Sequence, residues 1–81
     1  MSRTHQEMIC SWFNKLQEDI ASVKEARGKS ERGTQQNAML AGKLRAYVQM
    51  ANYLVNKYGS SIDIPEGDAL RMRLKYPNAL Q

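Results

Sequence analysis

Leu40, Leu44, Tyr47, Ala51, Leu54 and Tyr58 follow one another at alternating steps of four and three residues. Each step returns to the same side of an α-helix, so the spacing predicts a helix over 35–58 with one buried seam. A second series at the same steps runs beside the first: Met39, Lys43, Ala46, Met50, Tyr53 and Lys57. It is apolar in the middle with a lysine towards each end, the composition of a surface that another molecule can cover. Nearer the start of the chain, Ile9, Phe13, Leu16, Ile20 and Val23 make an apolar stripe that Trp12 widens on one side, with Asn14, Gln17, Glu18 and Glu25 opposite. This predicts a first helix over 5–27. Trp12 and Phe13 are adjacent, so only one of them can face the seam; the other is left for an outer contact.

The signals at the helix ends agree with these spans. Thr4 and Glu7 have the spacing of a capping box, and Gly28, after Lys24 and Arg27, suits the left-handed residue that stops a helix. Residues 28–34 then read as a short basic loop bracketed by Gly28 and Gly33, with Thr34 capping the central helix and Gly59 stopping it. Two long helices with facing stripes and a short connection predict an antiparallel αα-hairpin.

The segment 59–76 gives two competing signals. Leu70 to Tyr76 alternates apolar and basic residues, as a half-buried strand does, and Ile62-Asp63-Ile64 with Pro65 to Asp68 resembles a strand and a turn. Residue type points the other way. Ala69 to Lys75 contains no β-branched residue and is rich in strong helix formers, while Asp63, Glu66 and Asp68 suit a helix N-terminus. We expect a short third helix ended by Pro77 and a mobile end over 77–81. The predicted class is therefore all-α: one small domain over 1–81, a hairpin plus a short C-terminal helix. Two helices bury each stripe on one side only, so either the C-terminal segment or dimerisation into a helical bundle must complete the core.

Composition narrows the class further. A chain of 81 residues is marginal without a staple, and Cys10, its single cysteine, cannot form a disulfide within the monomer. A lone thiol fits a reducing compartment. No apolar leader or long uncharged run suggests export or a membrane, and a cytoplasmic location is expected. The net charge is +4, and it is concentrated in the middle of the chain. Segments 1–27 and 59–81 are balanced, the loop carries one excess cation, and the central helix holds Lys43, Arg45 and Lys57 with no acid. Such a field favours acidic partners, of which nucleic acid is one.

Motifs for chemistry are sparse. His5 and Cys10 are five apart on one helix and do not converge. No CxxC, HxxxH or similar ligand set suggests a metal, Glu18 and Asp19 point in different directions, and the 28–33 loop lacks the context of a phosphate-binding loop. No cofactor or enzymatic activity is expected. The expected function is a protein-binding module, acting as regulator, inhibitor or adaptor. Its contact residues would be Trp12, Met39, Lys43, Ala46, Met50, Tyr53 and Lys57, and its partners a second copy of the chain and a protein with an acidic surface. Lys24, Arg27, Lys29, Arg32 and Arg45 are candidates for phosphate or acidic contacts. The alternative function is a dimeric nucleic-acid-binding protein that grips phosphates through these basic residues. A loop of seven residues between two long helices does not match a helix-turn-helix reader.

Overall fold

The computed structural model describes residues 1–77 and, among them, is helical with no strand. Helix α1 spans Arg3–Lys29, α2 spans Gln35–Tyr58 and α3 spans Asp68–Lys75; short 3-10 turns at Gly59–Ser61 and Pro65–Gly67 bridge α2 and α3. The alternation over 70–76 is thus not a strand. Residue type outweighs it, and the periodicity it carries is that of an eight-residue helix with Leu70 and Arg73 on the buried side.

Helix α1 is longer at both ends than the 5–27 expectation. Ser2, not Thr4, is the N-cap: its side chain accepts the His5 amide at 3.1 Å. Glu7 is therefore not the return arm of a capping box. It pairs with Arg3 at 2.9 Å, one turn back along the helix surface. At the other end Gly28 continues the helix to Lys29 and Ser30 caps it, its amide and hydroxyl both donating to the Arg27 carbonyl. The loop is accordingly 30–34 rather than 28–34. Its left-handed residue is Gly33, with φ of 82°, a conformation only glycine adopts without strain. Thr34 caps α2 as expected, accepting the Asn37 amide at 3.2 Å. Gly59 is not a left-handed stop either; it stays right-handed and leads into the 3-10 turn. The expected mobile end falls, from residue 78 on, outside the described residues.

The core is built from all three helices. Ile9, Phe13, Leu16 and Ile20 of α1 meet Ala51, Leu54 and Val55 of α2, and Ile62, Ile64 and Leu70 close over them. Phe13, Leu54 and Leu70 are fully out of water. His5 of α1 lies edge-on to Tyr58 of α2, with centroids 6.2 Å apart. At the loop end, the Asn37 side chain donates to Ser30 Oγ at 2.7 Å and to the Arg27 carbonyl at 3.5 Å.

This core is lopsided. Every buried residue of α2 lies in its last turns, at Ala51, Leu54 and Val55. Leu40, Leu44 and Tyr47, from the same predicted seam, are only half-buried. The cause is the C-terminal segment, which packs on the His5–Tyr58 end of the two-helix layer and leaves the loop end, among the described residues, without a third element. The molecule is correspondingly elongated, 45 × 22 × 17 Å.

Two polar residues fasten that segment. Gln6, buried in α1, accepts the Asp63 amide through Oε1 at 2.9 Å. Arg71 donates to the Ile62 and Ile64 carbonyls at 3.1 and 2.8 Å and pairs with Asp68. Gly67 is packed so closely that a Cβ there would lie 2.2 Å from Ile62 Cγ2 in its own segment and 3.2 Å from Cys10 Sγ of α1. Glycine is needed at 67 for room.

Candidate functional site

Two surfaces stand out, on different parts of α2. The first is a shallow groove of about 370 Å³ lined by Trp12 of α1 and by Ala46, Gln49, Met50 and Tyr53 of α2. Trp12 reaches it because the adjacent Phe13 takes the core position, at 0% exposure. Trp12, Met50 and Tyr53 are 48%, 40% and 54% exposed. The C-terminal segment, which could have covered the second stripe, packs elsewhere: α3 meets α2 through Asn52, whose Oδ1 accepts from Arg73 Nε at 3.1 Å. Met50 and Tyr53 are therefore not covered by the described part of that segment. The segment follows its own buried anchors, Ile62, Ile64 and Leu70, to the other side of the layer.

The structure brings only some of the predicted contact residues into this groove. Met39 is exposed two turns earlier in α2, and neither it nor Lys43 lines the groove. Lys57 stands one turn past Tyr53. Its ammonium donates to the Tyr53 hydroxyl at 3.0 Å and lies 5.4 Å from the centroids of the Tyr53 and Tyr58 rings. The hydrogen bond to Tyr53 pushes the Lys57 pKa above its ordinary value, as does its field. Lys57 therefore holds the tyrosine ring in place and presents a positive charge beside it.

The second surface is the loop-end trough between α1 and α2. One lobe, about 510 Å³, is lined by Lys24, Arg27, Gly28, Ser30, Arg32, Asn37 and Leu44. An adjoining lobe of about 340 Å³ shares Lys24, Arg27 and Leu44 and adds Ala41, Arg45, Val48 and Gln49. Lys24, Arg27, Arg32 and Arg45 are thus gathered by the fold. Lys29 is not among them: its ammonium pairs with Glu25 at 3.1 Å on the exposed side of α1. The guanidinium groups of Arg27, Arg32 and Arg45 have no hydrogen-bond or ion-pair partner among the described residues.

Two buried groups gave no signal in the hydrophobic pattern. Gln6 and Arg73 are 6% and 4% exposed. Periodicity placed Arg73 in an exposed basic series, since alternation says nothing of which way a helical arginine turns. Burial pushes the Arg73 pKa down. Burial also pushes the Cys10 thiol up, opposed by the nearby Arg71 and aided by Glu66. The Cys10 side chain is packed into the core, 1% exposed. Among the described residues no group of three or more His, Cys, Asp or Glu is arranged to hold a metal ion, and no helix is long and apolar enough to cross a membrane.

The chain matches no family model, no curated protein and no solved structure.

Proposed function

We propose that this protein is a binding module that docks another protein on the Trp12–Ala46–Met50–Tyr53 groove, acting as a regulator, inhibitor or adaptor without a reaction of its own. One observation carries the reading. Three large, contact-prone side chains stand half in water around one groove, although the chain has a core and a C-terminal segment that could have buried them. Tryptophan, tyrosine and methionine are the residues enriched where proteins meet, because each buries much area with few frozen rotors or with an adaptable thioether. The partner's border is acidic. Lys57 places its ammonium beside Tyr53 at the groove's edge, so a second copy laid on the same face would set like charges near one another.

We also propose that α1 and α2 work as an antiparallel hairpin, one rigid binding unit. The His5–Tyr58 contact at one end and the Arg27–Asn37 contact at the other support this. Dimerisation into a bundle would use the Trp12 groove or the uncovered loop end, because α3 occupies the rest of the other side of the layer. A single buried thiol suits action in the cytoplasm.

Trp12 is the single tryptophan of the chain and lines the groove, so its fluorescence reports on occupancy. Affinity capture from cell extract, with wild-type protein and Met50→Asp side by side, identifies the partner. Titration of the purified partner should then shift Trp12 emission to the blue and lose at least tenfold in affinity with Met50→Asp or Tyr53→Asp. Equal affinity of both Asp variants would overturn the reading. So would a concentration-dependent dimer, seen by sedimentation, that carries the same blue shift and is abolished by Met50→Asp: the occupant would then be a second copy.

A further inference from the structure

The loop-end trough is a site of a different kind from the groove, and the arrangement of α3 shows what it is shaped for. Ala41, Arg45, Val48 and Asn52 lie at steps of four, three and four, one line along α2. At Asn52 that line is covered: α3 crosses it and Arg73 binds the Asn52 carboxamide. One turn earlier, at Val48, the cover stops. From Val48 back to Asn37 the line runs open for about 16 Å at ~1.5 Å per residue, with Ala41, Leu44 and Val48 half-buried along it. A helix of two to three turns laid there would continue the layer that α3 begins.

The chemistry of the trough selects among such helices. Its floor is apolar, from Ala41, Leu44 and Val48. Its walls carry Lys24, Arg27, Arg32 and Arg45, and no aspartate or glutamate lines it. Lys24 and Arg27 of α1 line both lobes, Arg32 of the loop joins them in one and Arg45 of α2 in the other. We infer that the trough receives a short acidic amphipathic helix of another protein, its apolar stripe on the Ala41–Leu44–Val48 floor and its carboxylates on the cationic walls. Helix-in-groove recognition has this form, with apolar anchors at i, i+3, i+4 and i+7. Carboxylates match the planar guanidinium fork in two-point hydrogen bonds. A nucleic-acid strand is the poorer occupant. A phosphodiester backbone gains nothing from a floor of leucine and valine, and no aromatic ring lines the trough to stack a base.

The test uses the full-length protein near physiological ionic strength and three labelled probes. The first is a 14-residue synthetic peptide with leucines at helical i, i+3, i+4 and i+7 spacing and glutamate elsewhere. The second is the same peptide with its leucines replaced by serine, which keeps the charge and removes the stripe. The third is a 20-base-pair DNA duplex. The first peptide should bind saturably and move the amide resonances of residues 27, 32, 41, 44, 45 and 48 while leaving 12, 50 and 53 in place. The serine peptide should bind at least tenfold more weakly. The double variant Arg32→Glu/Arg45→Glu, both residues exposed and without side-chain partners among the described residues, should lose at least tenfold while its thermal melt stays that of the wild type. No saturable binding of the leucine peptide overturns the inference. Equal binding of the serine peptide or tighter binding of the duplex does the same, by showing that charge alone is recognised. Resonance shifts confined to residues 12, 50 and 53 would assign the peptide to the groove and overturn the trough while leaving the docking function intact.

Discussion

Arg73 carries a positive charge into a place that is 4% exposed, and among the described residues no carboxylate meets it there. Nε and Nη2 both turn to one neutral oxygen, Asn52 Oδ1, and Nη1 has no partner among the described residues. Removing a cation from water costs several kcal/mol, and a neutral amide returns only part of it. Asn52→Ala strips the guanidinium of that oxygen and should destabilise the fold by about 2–4 kcal/mol. The double variant Arg73→Met/Asn52→Leu should be at least as stable as the wild type, since it replaces a half-satisfied polar pair with packing. Urea denaturation of the three proteins measures both; a double variant as weak as Asn52→Ala would show that the pair is net stabilising.

Cys10 presents the complementary case of a small group kept uncharged. With its thiol pKa raised by burial, the native state holds the proton more tightly than the unfolded chain does. The linkage sign follows. The Cys10 contribution is fully present below the ordinary thiol pKa of 9.0 and is lost as pH rises from there through the higher native value. Native Cys10 should react with a thiol reagent at least about 100-fold more slowly than the urea-unfolded chain. Equal rates would mean that the Gly67 contact over Sγ opens freely.

At the scale of elements, boundaries are where local signals compete. Ser2 wins over Thr4 as a cap, so the helix starts at Arg3 and gains the Arg3–Glu7 pair; Arg3 also reaches Glu66, at 3.5 Å, across to the turn before α3. Gly28 carries helix because Ser30 and Asn37 satisfy the carbonyl of Arg27, the work a left-handed glycine would otherwise do. Thr34→Ala should cost about 1 kcal/mol through loss of the Asn37 amide bond, measured as a fall in the urea midpoint. Gly67→Ala should cost more, about 1–3 kcal/mol, because the added methyl falls inside Ile62.

At the scale of the molecule, one short segment decides what α1 and α2 show to solvent. Residues 62–70 bring Ile62, Ile64 and Leu70 onto the core and leave the loop end and the Trp12 groove uncovered. A chain ending at Ser61 should lose cooperative unfolding or associate with itself, because Leu54, Val55 and Phe13 would face water. Calorimetry together with sedimentation reads either outcome; an unchanged, monomeric two-state melt would refute the role given to this segment.

Much of this was written in the order of residues. The period of 3.6 fixed α1 and α2 and named Ile9, Phe13, Leu16, Ile20, Ala51 and Leu54 as core, and residue type over 69–75, with the acids before it, chose a short helix over the strand that the alternation suggested. The second stripe on α2 was visible as well, because apolar residues off the seam need no structure to be noticed. Helical spacing records which residues share a face, but not which faces find a neighbour. Only the packing of residues 62–75 decided that Met50 and Tyr53 stay exposed, that Leu44 is half-buried while Leu54 is dry, and that Arg73 turns inward while Arg45 faces an open trough. Those outcomes depend on contacts between residues some 20 to 60 positions apart, such as Arg73 with Asn52 and Gln6 with Asp63. No local pattern encodes them.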